Sequence, residues 1–206
     1  MPNRLQKLAI AGSIAFSSLF CGSSVIAQEG EKPTGFYMMT GLGYTNTTDI
    51  NLSAGGSIIF ENGVLWDIGA GYDFGNIRAE LSYDATAQNI DTVQGYEAYT
   101  QVQSRSIYLI GYYDFRADKK WQPYAGLGFG SSEIEASTAY VGNVTLNAGD
   151  TNISSAIVKV GVSYSMANSD IFIERSGQGF DDFTIGNFTY TGVGVGSWTA
   201  GFRQRF

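Results

Sequence analysis

The chain has 206 residues, with 27 glycines, three prolines, one cysteine and no histidine, and its formal net charge is −7. Its length predicts one domain, and a hydrophobic fraction of 44% excludes a disordered chain. A single cysteine excludes an internal disulfide framework, and the lack of histidine excludes Ser-His-Asp triads, Cys-His dyads and imidazole metal sites. The negative charge argues against a nucleic-acid partner, which needs basic patches to contact phosphates.

The N-terminus has the layout of a secretory signal peptide. Arg4 and Lys7 precede an apolar stretch, and a small-x-small cleavage pattern ends at Ala27. Serines interrupt the apolar stretch, which argues against a membrane anchor, and the bulky residue before the cysteine argues against a lipoprotein signal. We therefore expect a cleaved signal peptide at 1–27 and a mature, cysteine-free domain at 28–206 with a formal charge of −9.

The rest of the chain alternates between apolar and polar residues with a period of two, which is typical of β-strands. In the clearest segment, 64–74, every even position is apolar, whereas the odd positions from Asp67 onward hold only Asp and Gly. Well-formed segments are about ten residues long, the length that a tilted strand needs to cross a bilayer. Eight strands are predicted, at 35–45, 64–74, 77–86, 105–115, 121–132, 156–166, 170–176 and 191–206.

Short and long connections alternate between these segments. Gly75-Asn76 is a two-residue turn, and 116–120 and 167–169 are also short. The other connections are long and rich in Asn, Thr, Ser and Gly. An up-and-down sheet places all short turns at one end, and in lipid it must close, because lipid offers no hydrogen-bond partners to a free edge. We therefore predict an all-β fold, an eight-stranded antiparallel up-and-down transmembrane β-barrel with short periplasmic turns and long extracellular loops, the latter near 46–63, 87–104, 133–155 and 177–190.

Four segments resemble recurring signatures of small bacterial outer-membrane β-barrel proteins: Ala70–Gly75, Gly111–Phe115, Trp121–Gly130 and Gly201–Phe206. That family includes the OmpA transmembrane domain, OmpX, the opacity proteins and the rickettsial-type surface antigens, and the resemblance covers the mature chain. It implies a location in the outer membrane, contact with outer-membrane lipid and lipopolysaccharide, and recognition by the barrel-assembly machinery during insertion.

The resemblance also implies an assembly signal at the C-terminus. In the family, a terminal phenylalanine with alternating apolar residues before it is read by the assembly machinery. Phe206 and Phe202 match this signal, whereas Gln204 stands where an apolar or aromatic residue is usual.

Strand alternation also predicts charged residues inside the barrel. Registering the Gly75-Asn76 turn places Asp73 opposite Arg78, a favourable pair, and Asp67 opposite Asp84, a like-charge pair that needs a nearby cation. Such a network could be a gated ion path or a proton-binding site, but we favour a salt-bridged plug that fills the lumen. The predicted lumen network comprises Asp67, Asp73, Arg78, Glu80, Asp84, Lys159, Glu174 and Arg203, with Lys159 as the candidate cation and Asp114 and Arg205 also facing inward.

Large inward side chains are expected to fill the space that glycines leave. If Phe115 opposes Trp121, then Tyr112 faces Tyr124, Ile110 faces Gly126 and Tyr108 faces Gly128, which describes a packed core.

On the outer face, aromatic residues lie near both ends of the predicted strands, as expected of girdles at the membrane interfaces. Arg175 departs from this pattern, because its parity directs it to lipid. We expect a bulge there, a short seventh strand, or a side chain that snorkels to the interface.

We expect this protein to have a structural or surface-interaction role, adhesin- or antigen-like, with loops that contact an extracellular ligand or a host surface. The alternative is a small, narrow porin that passes ions or small solutes. Barrel enzymes that act on lipid A depend on histidine, so we expect no enzymatic activity, and no cofactor or bound metal. A soluble lipocalin-type barrel, with its apolar faces inward, is the remaining possibility.

Overall fold

Eight long strands and six short ones make up the regular structure of the computed structural model, which describes residues 34–47, 50–51, 57–93, 96–141, 144–146, 148–185 and 188–206. The signal peptide predicted at 1–27 lies outside these residues, and among them no helix could cross a membrane. The long strands are β1 (Gly35–Thr47), β2 (Gly63–Asp73), β3 (Ile77–Val93), β4 (Tyr96–Asp114), β5 (Trp121–Ala136), β6 (Gly149–Ser165), β7 (Ser169–Phe180) and β8 (Gly194–Arg205). The short strands are Ile50–Asn51, Ser57–Phe60, Ala139–Val141, Val144–Leu146, Phe183–Ile185 and Phe188–Tyr190.

The eight long strands form a closed barrel. Each pairs antiparallel with its neighbours in the chain, and β1 pairs with β8. Following paired residues once around the barrel from Tyr37 returns to β1 at Thr47, a stagger of ten residues. Such a stagger tilts the strands relative to the barrel axis, and about 35–45° is typical. The predicted eight-stranded antiparallel barrel is confirmed.

The turn between β2 and β3 is the two-residue turn that the sequence predicts. Gly75 has a φ of +106°, in the left-handed region that favours glycine. The Phe74 amide donates to the Ile77 carbonyl at 2.9 Å, and the Gly75 amide donates to Asp73 Oδ1 at 2.8 Å. This turn fixes the register of the hairpin, with Asp73 opposite Arg78 and Asp67 opposite Asp84.

Several strands extend beyond their predicted ends. The prediction of a long loop at 87–104 is wrong, because β3 continues to Val93, β4 begins at Tyr96, and the two remain paired. Likewise, β6 begins at Gly149 rather than at 156. Alternation of apolar and polar residues reveals only the part of a strand that has one apolar face. Backbone pairing continues beyond that part, through polar residues such as Thr and Gln. The barrel wall therefore projects beyond its apolar belt.

The outer face of the barrel carries an apolar belt. Large exposed side chains include Leu42, Leu81, Leu109, Leu127 and Val158. Around the short-turn end, aromatic rings meet in pairs: Phe36 with Tyr72 at 4.9 Å between centroids, Tyr113 with Phe115 at 5.3 Å, and Trp121 with Tyr164 at 5.0 Å. An apolar surface of this extent marks contact with lipid rather than water.

The register between β4 and β5 corrects one prediction. Tyr112 lies opposite Gly126 rather than Tyr124, and Ile110 and Tyr108 lie opposite Gly128 and Gly130. The turn is longer than assumed, because the Phe115 amide donates to the Pro123 carbonyl at 2.9 Å. Bulky residues of β4 still cover glycines of β5, each two residues further along than predicted.

Candidate functional site in the barrel lumen

Charged side chains line the lumen, because strand alternation that directs apolar residues to lipid directs their neighbours inward. The eight residues of the predicted network are all buried, with at most 3% of each exposed, and β2, β3, β6, β7 and β8 supply them. They are Asp67, Asp73, Arg78, Glu80, Asp84, Lys159, Glu174 and Arg203. Asp114 and Arg205 are buried with them.

Arg78 crosses the lumen near the turn end. Its Nε lies 2.9 Å from Asp114 Oδ2 and its Nη2 lies 3.0 Å from Asp114 Oδ1, a bidentate pair. The guanidinium carbon stands 4.4 Å from the centre of the Tyr112 ring and 5.0 Å from that of Tyr124. Arg78 is therefore fixed by one carboxylate and by the faces of two aromatic rings.

Asp170 joins the two arginines of β8. Arg203 Nη1 donates to Asp170 Oδ2 at 2.9 Å, and Arg205 Nη1 donates to Asp170 Oδ1 at 2.8 Å. Arg205 Nε also donates to Asp73 Oδ2 at 3.2 Å. The predicted lumen network lacks Asp170, although this residue has the same parity as Glu174, and that parity is the signal that identifies it.

A layer of tyrosines lies next to these ion pairs. The Tyr37 and Tyr112 hydroxyls both donate to Glu80, each at 2.9 Å, and the Tyr124 hydroxyl donates to Glu174 at 3.0 Å. Each ring fills part of the cross-section while its hydroxyl binds a buried carboxylate. Strand parity predicts that Tyr112 and Tyr124 face inward, but it does not predict these hydrogen bonds.

Lys159 lies among the acidic residues beyond the tyrosines. Its Nζ is 3.1 Å from Glu174 Oε1 and 3.9 Å from Asp67 Oδ2. Asp67 stands directly opposite Asp84, and Asp67 Oδ1 accepts no hydrogen bond from the described part of the chain. Lys159 thus reaches one member of the like-charge pair but lies closer to a different carboxylate.

Small hydroxyl side chains line the lumen toward the long-loop end. The Ser132 hydroxyl lies 2.7 Å from that of Ser106 and 2.7 Å from that of Ser155, while Thr86 and Ser104 meet at 2.8 Å. Among the described residues, the side chains that meet here are polar but uncharged.

The charges inside the barrel do not balance. The buried residues of the described chain include seven carboxylates and four cations. No group of three or more His, Cys, Asp or Glu side chains among these residues could hold a metal ion. The carboxylates are Asp67, Asp73, Glu80, Asp84, Asp114, Asp170 and Glu174, and the cations are Arg78, Lys159, Arg203 and Arg205.

Exposed charges divide between the two ends of the barrel. At the long-loop end, Arg105 lies within 3.3 Å of Glu133 and 3.4 Å of Glu135. At the short-turn end, a hydrogen bond from Lys119 lowers the pKa of the Asp118 carboxyl. Acidic side chains predominate at the loop end, namely Glu61, Asp91, Glu133, Glu135, Asp150, Asp181 and Asp182, whereas Arg116, Lys119 and Lys120 make the turn end basic.

The C-terminal residues seal the barrel wall. The Phe206 amide donates to the Phe36 carbonyl at 2.9 Å, and its side chain is exposed on the lipid face. Phe202 shares its outward parity, and Gln204 Nε2 donates to the Asn168 carbonyl at 3.1 Å.

The barrel is similar to known outer-membrane proteins. A family model described as "Outer membrane protein beta-barrel domain" matches residues 13–206. None of the curated proteins compared matches the chain. Neisserial surface protein A (NspA) is 22% identical, with a TM-score of 0.58 over 84% of this chain and 97% of that one.

Two further solved structures share the fold. Ail, the attachment invasion locus protein of Yersinia pestis, solved with the heparin analogue sucrose octasulfate, is 15% identical with a TM-score of 0.50, covering 84% of this chain and 99% of its own. The outer membrane protein AlkL in lipid bilayers is 13% identical with a TM-score of 0.50, covering 90% of this chain and 96% of its own. Since the family model spans the barrel and the closed sheet agrees with it, this chain belongs to the outer-membrane β-barrel protein family.

Proposed function

We propose that this protein is a surface-interaction protein of the outer membrane, adhesin- or antigen-like in role, whose lumen is closed by a plug of side chains. The proposal is supported by the side chains inside the barrel, where ion pairs, tyrosine rings and hydroxyl groups succeed one another from the turn end to the loop end. A barrel of eight strands has a lumen just wide enough for side chains to fill.

The ion pairs oppose spontaneous opening of the plug. Arg78 and Asp114 are both buried, and Asp170 binds Arg203 and Arg205. Breaking a buried pair by removing one partner costs about 3–5 kcal/mol, because the other charge stays behind in the interior. A solute path would require several such pairs to separate together, which favours a plug over the alternative of a narrow porin.

The loop end supplies the contact surface. The β3–β4 hairpin extends beyond the apolar belt, and exposed acidic side chains predominate around it. Ail was solved with a sulfated, anionic ligand. The rim of this barrel is itself acidic, so it repels an anionic ligand of that kind. Its charge favours a cationic partner, such as a basic peptide or a basic protein surface on a host cell.

Conductance of the purified barrel in planar bilayers tests the plug. The unmodified protein should give no channel events at high salt. A variant with Tyr112→Ala and Tyr124→Ala, which lacks two rings across the lumen, serves as the comparison and should conduct. Steady conductance by the unmodified barrel would contradict the plug and support the porin.

Binding to charged surfaces tests the contact role. Barrels in phosphatidylcholine nanodiscs should bind immobilised polylysine and not heparin. Replacing Glu133 and Glu135 with Gln should weaken polylysine binding. If the unmodified protein binds heparin more strongly than polylysine, the proposal is contradicted.

The same proposal covers export. Residues 1–27 would be removed as a signal peptide, Phe206 and Phe202 would be read by the barrel-assembly machinery, and the belt would meet outer-membrane lipid. We further propose that the protein is not an enzyme, which the lack of histidine in the chain supports.

A further inference from the structure

Two carboxylates in the lumen, Asp67 and Asp84, stand apart from the ion pairs of the plug. They lie directly opposite each other on β2 and β3, and both are buried. Oδ1 of Asp67 and Oδ1 of Asp84 accept no hydrogen bond from the described part of the chain. An ionised carboxylate that leaves water without gaining hydrogen bonds is costly, and two side by side also repel each other.

The other five buried carboxylates each have a donor within 3.2 Å. Arginines hold three of them, two tyrosine hydroxyls hold Glu80, and Glu174 has both Lys159 and a tyrosine hydroxyl. The three that arginines hold are Asp73, Asp114 and Asp170. The four buried cations of the described chain are therefore engaged elsewhere at shorter distances than any of them has to the Asp67–Asp84 pair.

Lys159 approaches the pair but is shared. Its Nζ lies 3.9 Å from Asp67 Oδ2 and 3.1 Å from Glu174 Oε1. The charged side chains close enough to act on both members of the pair are Lys159 on β6, Glu174 on β7 and Glu80 on β3. One positive charge thus faces the pair together with two further negative charges.

The remaining strands around the pair bring uncharged groups to it. The space over Gly41 on β1 is occupied by the Asp67 carboxylate and by the methyl group of Thr199 on β8. On β4, the residue opposite Asp84 is Ser106, whose hydroxyl is uncharged. These strands therefore leave the negative charge of the pair uncompensated.

Arg175 on β7 does not supply the missing charge, because it faces away from the lumen. It lies between Val160 and Trp198 in a continuous register, so the bulge and the short seventh strand, two of the three expectations for this residue, are wrong. Its Nη1 donates to Asn46 Oδ1 at 3.3 Å, and its guanidinium stands 5.7 Å from the Trp198 ring centre. The side chain snorkels along the outer wall, and the sheet separates it from the pair.

We propose that Asp67 and Asp84 together bind one proton at neutral pH. The proton leaves one carboxyl group neutral, removes the repulsion across the two strands, and gives the pair an O–H donor. A proton needs no coordination shell, whereas no group of three or more His, Cys, Asp or Glu side chains in the described ranges could hold a metal ion. The site rests on the closed lumen of the proposed function, since water in an open channel would hydrate both carboxylates.

Infrared spectroscopy of the barrel in lipid vesicles tests the site, because a protonated carboxyl group has a C=O stretch that a carboxylate lacks. At pH 7 the unmodified barrel should show this band. Asp67→Asn and Asp84→Asn should each lose it, because the single carboxylate that remains has Lys159 nearby and no like charge opposite. Asp118→Asn is the matched control and should keep the band, since that side chain is 66% exposed at the turn end.

Two spectroscopic results would overturn the proposal. One is the absence of the band from the unmodified barrel at pH 7, and the other is its persistence in either Asp67→Asn or Asp84→Asn. Heat-modifiable migration on gels verifies that each variant is folded before its spectrum is compared.

Proton release on unfolding counts the bound proton independently. Aspartic acid in water has a pKa of about 3.9, so both carboxyl groups ionise when the barrel unfolds at pH 7, and the proton leaves. Unfolding in weakly buffered urea with a pH indicator should release about one more proton per chain from the unmodified barrel than from Asp67→Asn. Equal release from the two proteins would contradict the site.

Conductance separates a failure of this site from a failure of the plug. An unmodified barrel that gives no channel events and shows no carboxyl band keeps the plug and rules out the proton. An unmodified barrel that conducts and shows no band rules out both.

Discussion

Arg78 illustrates how a charge is accommodated inside this barrel. A carboxylate holds its guanidinium in plane, and two aromatic rings cover its faces. The arginine also occupies a large part of the cross-section, so it acts as packing as well as charge.

Replacing Arg78 with Met should lower the free energy of unfolding by about 3–5 kcal/mol, because Asp114 stays buried after losing its bidentate partner. Urea unfolding of the barrel in phosphatidylcholine vesicles, followed by tryptophan fluorescence, measures the change. Arg105→Met is the control, since that pair is about 40% exposed and should contribute at most about 1 kcal/mol. Equal effects of the two variants would contradict the buried role of Arg78.

Two carboxylates near Lys159 should respond in opposite ways to neutralisation. Asp67→Asn should raise the free energy of unfolding by about 1 kcal/mol, because it relieves repulsion with Asp84 while Lys159 keeps Glu174. Glu174→Gln should lower it by about 3 kcal/mol, because Glu174 binds both Lys159 and the Tyr124 hydroxyl. The same urea assay at pH 8 compares them, and destabilisation of similar size in both would contradict this account.

At the scale of the strands, the fit between β4 and β5 depends on bulky residues lying over glycines. Gly126→Ala should lower the free energy of unfolding by about 1–3 kcal/mol, since the new Cβ would lie 2.5 Å from Tyr112 Cδ1. Gly111→Ala is the control, because its Cβ would enter open space. If both variants unfold at the same urea concentration, packing of the Tyr112 ring does not depend on glycine at position 126.

The C-terminal strand provides a test of assembly. Phe206→Ala should lower the yield of heat-modifiable barrel in the outer membrane while leaving refolding into detergent largely unchanged, because the ring faces lipid. Phe115→Ala is the control, since both rings are 60% exposed at the short-turn end. Fractionation and gel migration measure the yield. An equal loss of yield in both variants would contradict a special role of Phe206 in assembly.

The sequence predicts which residues face inward better than it predicts what they bind. Alternation finds the eight strands, and the two-residue turn gives the β2–β3 register, with Asp67 opposite Asp84. The β4–β5 register misses by two residues, because a shift of two leaves the inside-outside pattern unchanged and alternation cannot reject it. Contacts such as Arg205 with Asp73, on strands that are not neighbours, depend on the stagger of the barrel, which no local pattern contains.

At the scale of the whole molecule, the positions of exposed lysine and arginine residues allow a test of which end of the barrel faces the outside of the cell. Exposed basic residues of the turn end lie at 116–120, whereas Arg105 near the loop end lies within a paired strand. Trypsin added to intact cells should therefore leave the barrel uncut, and trypsin added to opened outer membranes should cut at 116–120. Mass spectrometry of the fragments identifies the site, and cleavage there on intact cells would mean the opposite orientation.

Closure between β1 and β8 has a kinetic consequence. Seven of the eight strand pairings join strands that follow one another in the chain, but Tyr37 pairs with Arg205, which lies 168 positions further along the chain. A contact between such distant residues carries the largest loop-closure entropy cost in the barrel, so we expect it to form last and to limit the rate of folding. Until β8 pairs with it, β1 presents an unpaired backbone edge that can recruit another chain. The newly exported protein must therefore be kept from its own copies until its last strand reaches its first.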